Sequence, residues 1–199
     1  MSESSDIQRT SLFGAPVLLA GLRRLPLEQG RGGVREIWAG EGPHHEPRWQ
    51  LRIVDMRGPR GILSASAGSE HYVIGLAGPQ VAVGDTRSSG QVLRRGRVVP
   101  IRSATVVFER PKLRAAGASS LVVLTASSPA LAPTLTLQTV EGAAVMAAGT
   151  CGVVTLRHGV LLDDADVPGH AATLIDPRGL HRIQVASAQV LTLVNQQQP

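Results

Sequence analysis

Few residues in this chain are suited to metal or nucleophilic chemistry, since it has six histidines and one cysteine. Two histidines converge on one metal ion when they stand two positions apart on a strand, because alternate side chains point to the same face. His44 and His45 are adjacent instead, in a segment rich in Gly and Pro, and His158 is isolated. The sequence therefore contains no His-x-His pair and predicts no metal site.

A second group of metal-ligating residue types lies further along the chain. Asp163, Asp164 and Asp166 precede His170, but this pattern lacks the spacing of a calcium loop. Acidic residues followed by Pro and Gly are typical of a solvated turn. His181 has no convergent partner in the sequence, so it is only a weak metal candidate, and we expect it to be structural or solvent-facing.

The single cysteine, Cys151, excludes an intramolecular disulfide and a cysteine-built metal site. His158 follows on what would be the returning strand, so a Cys–His pair is one interpretation. A small buried residue is the commoner fate of a free cysteine, and we favour it.

No Gly-x-Ser-x-Gly elbow occurs, and the glycine run from Gly30 to Gly33 is not followed by a helix. That run is therefore expected to be a flexible turn, not a phosphate loop.

The elements that must position these residues are short apolar runs, rich in Val, Leu, Ile and Thr, between Gly and Pro residues. Such runs predict an all-β protein, and no segment shows a helical period over ten residues. Fifteen short strands at this spacing are typical of sandwiches or barrels. The strands are predicted at 16–22, 35–38, 49–55, 71–77, 80–83, 97–101, 105–109, 121–126, 134–140, 143–147, 153–156, 160–163, 172–175, 181–185 and 190–194. Trp49, Leu51 and Ile53 alternate with Gln50 and Arg52, which predicts one exposed face.

The chain's 199 residues are 43% hydrophobic and 3% aromatic. No apolar run approaches the ~20 residues that cross a membrane, so we expect a soluble protein without a membrane partner. The single cysteine favours a cytoplasmic location. The stretch from Leu12 to Leu22 is interrupted by Pro16 and does not predict a signal peptide.

Positive charge is confined to the first half of the chain, since residues 1–114 carry a net charge of +7 and residues 115–199 a net charge of −2. Solvated strand edges and turns are the expected position of the basic cluster. It also forms a local field that favours a small anionic partner. Phe108 is the only aromatic residue among these charges, so nucleic acid is not expected. The cluster comprises Arg87, Arg94, Arg95, Arg97, Arg102, Arg110, Lys112 and Arg114.

A weak internal repeat has a period near 80 residues. Residues 71–85 align with residues 151–164, and each copy has an apolar strand, a turn, a second strand and an acid. Duplication of a small β-barrel explains this pattern. We therefore predict a first barrel at 1–126, including the N-terminal strands, and a second at 127–199, packed as one unit. The hinge is predicted at Ser127–Pro133.

The stretch Gly-Arg-Gly-Gly-Val-Arg-Glu-Ile-Trp at 30–38, followed by Trp-Gln-Leu-Arg-Ile-Val-Asp-Met-Arg-Gly-Pro at 49–59, resembles the HutD/Ves family. The apolar strand at 71–78, closed by a glycine, and the strand at 121–125 resemble later family segments. The resemblance implies a duplicated cupin-type β-barrel, or bicupin, linked to histidine utilisation and to binding of a small metabolite. It also leaves a homodimer open.

Departures from the family pattern bear on the ligand. Leu27-Glu28-Gln29 replaces a Trp-Lys-Asn segment, Arg60-Gly61 replaces Phe-Ser, and Glu70-His71 replaces an Asp-Arg pair. The stretch from Asp176 to His181 resembles the later metal-binding turn of cupins, with its histidine one residue early. Fold transfers more safely than ligand, so a different ligand is compatible with the same fold.

Two classes of function remain open. The first is a non-enzymatic or regulatory binder of a small anionic metabolite at the mouth of a barrel, with no cofactor. Arginine supplies paired donors to a carboxylate, and tryptophan supplies a flat apolar wall. The alternative is a metal-dependent cupin-type enzyme, an isomerase or dioxygenase. The residues predicted to line the ligand site are Arg35, Glu36, Trp49, Arg52 and His71.

Overall fold

The structure is a computed structural model that describes residues 14–41, 47–87, 90–94, 96–110, 117–127, 130 and 132–195. These residues form strands and turns with one short 3-10 segment, Leu19–Gly21, and the described part contains no α-helix. The prediction of an all-β protein is confirmed. Over the same residues, no helix has the length and apolar character to cross a membrane.

The described strands, in chain order, are β1 Val17–Leu18, β2 Arg24–Pro26, β3 Gln29–Glu41, β4 Pro47–Ser64, β5 Glu70–Ala77, β6 Ala82–Gly84, β7 Gln91–Val92, β8 Val99–Ile101, β9 Thr105–Glu109, β10 Ser119–Ala126, β11 Thr134–Val145, β12 Thr150–Thr155, β13 Val160–Leu162, β14 Ala165–Val167, β15 Ala171–Leu174 and β16 Arg182–Val194. They form two sheets of nine and seven strands, and every pairing in them is antiparallel.

The chain divides into two compact units. One unit is Leu22–Ala132 and contains the nine-stranded sheet; the other joins Met1–Gly21 to Pro133–Pro199 and contains the seven-stranded sheet. Strand β1 pairs with β15 through Val17↔Ala172, so the N-terminal strand belongs to the second sheet, whereas we expected it in the first barrel. It takes the edge of β15 that β12 leaves open. Part of the predicted hinge, residues 128, 129 and 131, lies outside the described residues.

Within Leu22–Ala132, which we call the first barrel, β4 organises the sheet because it pairs with β3, β9 and β10. Alternate residues of these strands bury apolar side chains in one core, as Val54, Leu121 and Phe108 do. The opposite face of β4 is buried as well, since Leu51 and Ile53 are 0% and 4% exposed. Burial on both faces explains why β4 does not show the exposed face that its alternation predicted.

The glycine run predicted to be a flexible turn lies inside β3, so that prediction is wrong. A side chain at Gly30, whose φ is +103°, would lie 2.2 Å from the carbonyl oxygen of Arg60. At Gly32 the added Cβ would lie 2.2 Å from the carbonyl oxygen of Asp55. Glycine is therefore needed here because β3 approaches the backbone of β4 too closely for a Cβ atom.

The second unit has its own core, which includes Val153, Ile183 and Val190. Its two longest strands, β11 and β16, each merge two strands that the sequence separates. Their pairing continues past a register shift between Val140 and Gly142, where Gly142 adopts a φ of +73°. A bulge, not a turn, therefore accounts for the glycine at that point.

Candidate functional site

Strand register separates the five residues predicted to line one site. Glu36 on β3 is paired directly with Arg52 on β4, so their side chains leave the sheet on the same face. His71 on β5 is paired with Thr125 on β10, which is paired in turn with Gln50. Because residues two apart on a strand share a face, Gln50 and Arg52 point to the same side as the buried Val54. This side is the inner face of the first barrel.

A hydrogen-bonded chain runs across that face. Nη2 of Arg52 donates to Oε1 of Gln50, and Nε2 of Gln50 donates to Oε2 of Glu36 at 3.0 Å. Burial lowers the pKa of Arg52, while the charges of Glu36 and Glu28 oppose that fall. Nε of Arg52 is buried and has no hydrogen-bond partner in the described part of the chain. Gln50 therefore holds one edge of the guanidinium, while Nε has no hydrogen-bond partner among the described residues.

His71 is the second member of this face with a spare polar atom. It is completely buried, and its Nδ1 lies 2.9 Å from Oγ1 of Thr125. Burial lowers its pKa to about 4; a backbone hydrogen bond with Ala104 opposes this, and the charge of Arg52 adds to it. Ala104 is close enough to affect the pKa, yet Nε2 makes no hydrogen bond of normal geometry among the described residues. At neutral pH the ring is therefore neutral, and Nε2 has no well-aligned hydrogen bond among the described residues.

Glu28, between β2 and β3, completes the group. Its Oε1 accepts a hydrogen bond from the backbone N–H of Ser64 at 3.2 Å. Its charge opposes the pKa lowering of both Arg52 and His71, so it acts on both side chains. We refer to the set as the Arg52 cluster, which consists of Glu28, Glu36, Gln50, Arg52, His71 and Thr125.

Arg35 and Trp49 lie on the face opposite the Arg52 cluster. Nη2 of Arg35 donates to Oδ2 of Asp55 at 2.5 Å, and Oγ of Ser120 donates to the other oxygen at 2.7 Å. Trp49 covers Gly40, where an added Cβ would lie 2.2 Å from the indole Nε1. Arg35 is therefore explained by its ion pair with Asp55, and Trp49 by its packing on Gly40. The structure therefore brings Glu36, Arg52 and His71 together and leaves Arg35 and Trp49 outside.

His181, the weak metal candidate, is fully engaged by other groups. Its Nδ1 lies 2.5 Å from Oδ2 of Asp163, and its Nε2 lies 2.6 Å from the carbonyl oxygen of Asp176. Partial burial lowers the pKa of His181, but these hydrogen bonds and the nearby carboxylates raise it overall. Both neighbours are hydrogen-bond acceptors, which favours the doubly protonated, cationic ring and agrees with its raised pKa. A cationic ring has no lone pair to offer a metal.

Comparison with known proteins rests on structure. No family model matches the chain, and no curated protein matches it in sequence. A conserved protein of unknown function from Pseudomonas aeruginosa, PA5104, superposes with a TM-score of 0.73 at 19% identity, over 90% of this chain and 97% of that one. HutD from Pseudomonas fluorescens gives 0.68 at 20% identity, over 91% and 99%. A conserved cupin barrel domain protein from Leptotrichia buccalis gives 0.56 at 10% identity, over 92% and 96%.

The chain therefore has a HutD-like fold, which the cupin barrel domain protein also shares. The fold class that the family resemblance implied, a duplicated cupin-type barrel, is thereby confirmed. At these identities the similarity shows the fold alone, so any statement about ligand depends on this chain's own residues.

A cupin metal centre does not fit the residues described in the HutD-like fold. Such a centre needs several His or acidic side chains converging on one point, and no group of three His, Cys, Asp or Glu residues converges among the described residues. His71 lies on the inner face but bonds Thr125 through Nδ1. His44 and His45 lie outside the described residues.

The acidic cluster and the Cys–His pair, both of which the sequence disfavoured as functional sites, are also accounted for by local structure. Asp163 and Asp164 occupy a turn with φ values of 49° and 66°, and Asp163 is committed to His181 and the N–H of Arg182. Sγ of Cys151 donates to the carbonyl of Leu193 at 3.4 Å, and burial raises the pKa of its thiol. A raised pKa disfavours the reactive thiolate, which matches the structural role that the sequence favoured.

The arginines of the basic cluster that the structure describes lie in different local environments. Arg102 lies 3.7 Å from Glu70 and is 86% exposed, as expected for a solvated strand edge. Arg110 departs from that expectation, since it is 8% exposed and Nη1 donates to the carbonyl of Arg57 at 3.3 Å. Arg95, Lys112 and Arg114 lie outside the described residues.

Sequence reasoning missed three members of the Arg52 cluster. Gln50 was recognised only as the polar neighbour of Arg52 in an alternating strand. Thr125 ends the apolar run Leu121–Leu124, and a polar residue ending such a run is the signal that was overlooked. Glu28 had no sequence signal beyond its departure from the family pattern, because its position depends on the turn between β2 and β3.

Proposed function

We propose that the first barrel binds a small anionic metabolite at the Arg52 cluster, as a non-enzymatic or regulatory binder that needs no cofactor. The observation that supports this is the pair of buried polar atoms, Nε of Arg52 and Nε2 of His71, on one face without a well-aligned hydrogen bond among the described residues. A buried polar group without a partner costs about 1–3 kcal/mol, so proteins rarely keep two together. A ligand that satisfies both would recover that cost.

The chemistry of the two groups favours a carboxylate. The guanidinium keeps its charge at any physiological pH and forms strong, directed hydrogen bonds to carboxylate oxygens. The neutral His71 ring offers Nε2 as a single hydrogen-bonding atom without a competing charge. Because Gln50 fixes one edge of the guanidinium, Nε is presented in one orientation. Such pre-positioned polar groups, set beside an apolar barrel interior, are typical of metabolite sites.

The link with histidine utilisation and the cytoplasmic location belong to the same proposal. The first comes from the family resemblance, and the second comes from the single cysteine and the lack of a long apolar run in the sequence. No described residue group favours the alternative of a metal-dependent enzyme.

A thermal-shift screen tests the proposal with L-histidine, L-glutamate, glutarate and propionate as probes. A ligand at 100 times its Kd adds roughly 2.7 kcal/mol, which corresponds to a rise in Tm of about 5–10 °C for a domain of this size. Arg52→Gln should abolish the shift. Arg60→Gln, on the same strand but 59% exposed and 3.7 Å from Glu109, is the matched control and should retain it.

Two outcomes would contradict the proposal. One is a screen in which no carboxylate shifts the wild-type Tm. The other is a shift that Arg52→Gln retains in full.

A further inference from the structure

The Arg52 cluster holds more negative than positive charge. Arg52 is its one cation, Glu28 and Glu36 are carboxylates, and His71 is neutral because burial depresses its pKa to about 4. Two carboxylates close to one guanidinium do not suit a ligand that carries negative charge alone, because like charges brought together oppose binding.

Glu36 is held close to Arg52 by the fold. The two residues are paired directly across β3 and β4, and Gln50 bridges them through one hydrogen bond to each. The bridge uses one oxygen of Glu36, while the carboxylate as a whole is solvent-exposed. Glu36 therefore places a hydrogen-bond acceptor beside the group proposed to bind the ligand's carboxylate.

Glu28 approaches the same point from another segment of chain. The Ser64 N–H holds its carboxylate, and the next residue, Ala65, donates to the carbonyl of Ala104 at 2.8 Å. Ala104 in turn adjoins His71. The backbone around Ser64 thus connects Glu28 to His71. The charge of Glu28 acts on both His71 and Arg52.

We infer that the ligand is a zwitterion, a carboxylate that also carries a protonated amine or amidine. This inference depends on the proposed function and names its ligand class. The carboxylate lies against Nε of Arg52 and Nε2 of His71, and the cationic group donates to Glu36 and Glu28. With such a ligand bound, each charge in the cluster has an opposite charge beside it, and both buried polar atoms gain a partner.

Titration calorimetry at pH 7 with matched ligand pairs tests the inference. The pairs are L-glutamate with glutarate, L-alanine with propionate, and L-histidine with 3-(imidazol-4-yl)propionate, and members of a pair differ only in the amine. The amino member of the best-binding pair should bind at least about tenfold more tightly. Glu36→Gln and Glu28→Gln should each reduce that preference by weakening the amino member and strengthening its deaminated partner. Glu109→Gln, an acid 56% exposed in the same barrel, should leave the preference unchanged.

The possible failures are distinguishable. If a deaminated carboxylate binds as tightly as its amino partner, the zwitterion inference is overturned and the carboxylate site stands. A preference for the amine that survives both glutamate substitutions also overturns it. If no member of any pair binds, the proposed function fails and the inference fails with it.

Discussion

His71 makes the first barrel sensitive to acid. A histidine in an unfolded chain has a pKa near 6.5, whereas burial lowers the pKa of His71 to about 4. Between these values the unfolded chain binds a proton that the folded barrel excludes. Stability is therefore complete above pH 6.5 and decreases as the pH falls through this window. Replacing His71 by glutamine, which does not titrate, should remove this dependence.

The size of the effect follows from the two pKa values. Each pKa unit corresponds to ~1.4 kcal/mol, so a fall from 6.5 to about 4 costs about 3 kcal/mol when protonation is complete. Net stabilities of domains are roughly 5–15 kcal/mol, so this loss is a large fraction of the total. The side chain is completely buried, and solvent does not reduce the figure as it would at the surface.

Denaturant unfolding followed by tryptophan fluorescence measures this directly, since both tryptophans, Trp38 and Trp49, lie in the first barrel. The free energy of unfolding of the wild type should fall by about 3 kcal/mol more than that of His71→Gln between pH 7 and pH 4. His71→Asn gives a second comparison if the glutamine variant does not fold. Parallel pH profiles for wild type and variant would refute a buried neutral His71.

Three further predictions concern other parts of the molecule. His181 has a raised pKa, so its contact with Asp163 should stabilise the fold below pH 6.5 and lose its effect as the pH rises through the raised pKa. Thermal unfolding of His181→Gln against wild type should thus differ most at low pH, and a difference that grows with pH would contradict this. Gly40→Ala should lower the free energy of unfolding by about 1–3 kcal/mol, because the added Cβ would overlap Trp49. Gly75→Ala is the control, since its added Cβ would have no neighbour nearer than 3.7 Å, and it should lower the Tm much less. Elemental analysis of purified protein should find metal far below one ion per chain, and stoichiometric iron, nickel, zinc or manganese would restore the metal-dependent alternative.

The class of fold was predictable from the sequence because the relevant signals are local. Val, Leu, Ile and Thr runs between turn residues define strands, and two copies of one pattern define a duplication. The assignment of β1 to the second sheet was not predictable, since pairing of Val17 with Ala172 depends on which edge of β15 is open. The extended run at Gly30–Gly33 was missed for a similar reason, because only the approach of β4 explains it.

The candidate site was predictable in part. Arg52 and His71 stood out as charged or titratable residues in apolar strands, and Glu36 lay near them in the motif. The position of Arg35 on the opposite face follows from its pairing with Ile53, which alternation within one strand does not reveal. Both faces of β4 are buried, so hydrophobicity did not indicate which one carries the site.

Ligand binding at the Arg52 cluster is tested most directly by NMR of Nε of Arg52 and Nε2 of His71. In protein labelled with ¹⁵N, NMR resolves the Nε–H groups of arginine and the ring nitrogens of histidine during titration with the carboxylate that gives the largest thermal shift. If the ligand binds at the Arg52 cluster, the signals of Nε of Arg52 and Nε2 of His71 shift together with one shared Kd, while those of the His181 ring nitrogens do not move. Saturable binding that leaves both Arg52 and His71 unchanged would contradict it.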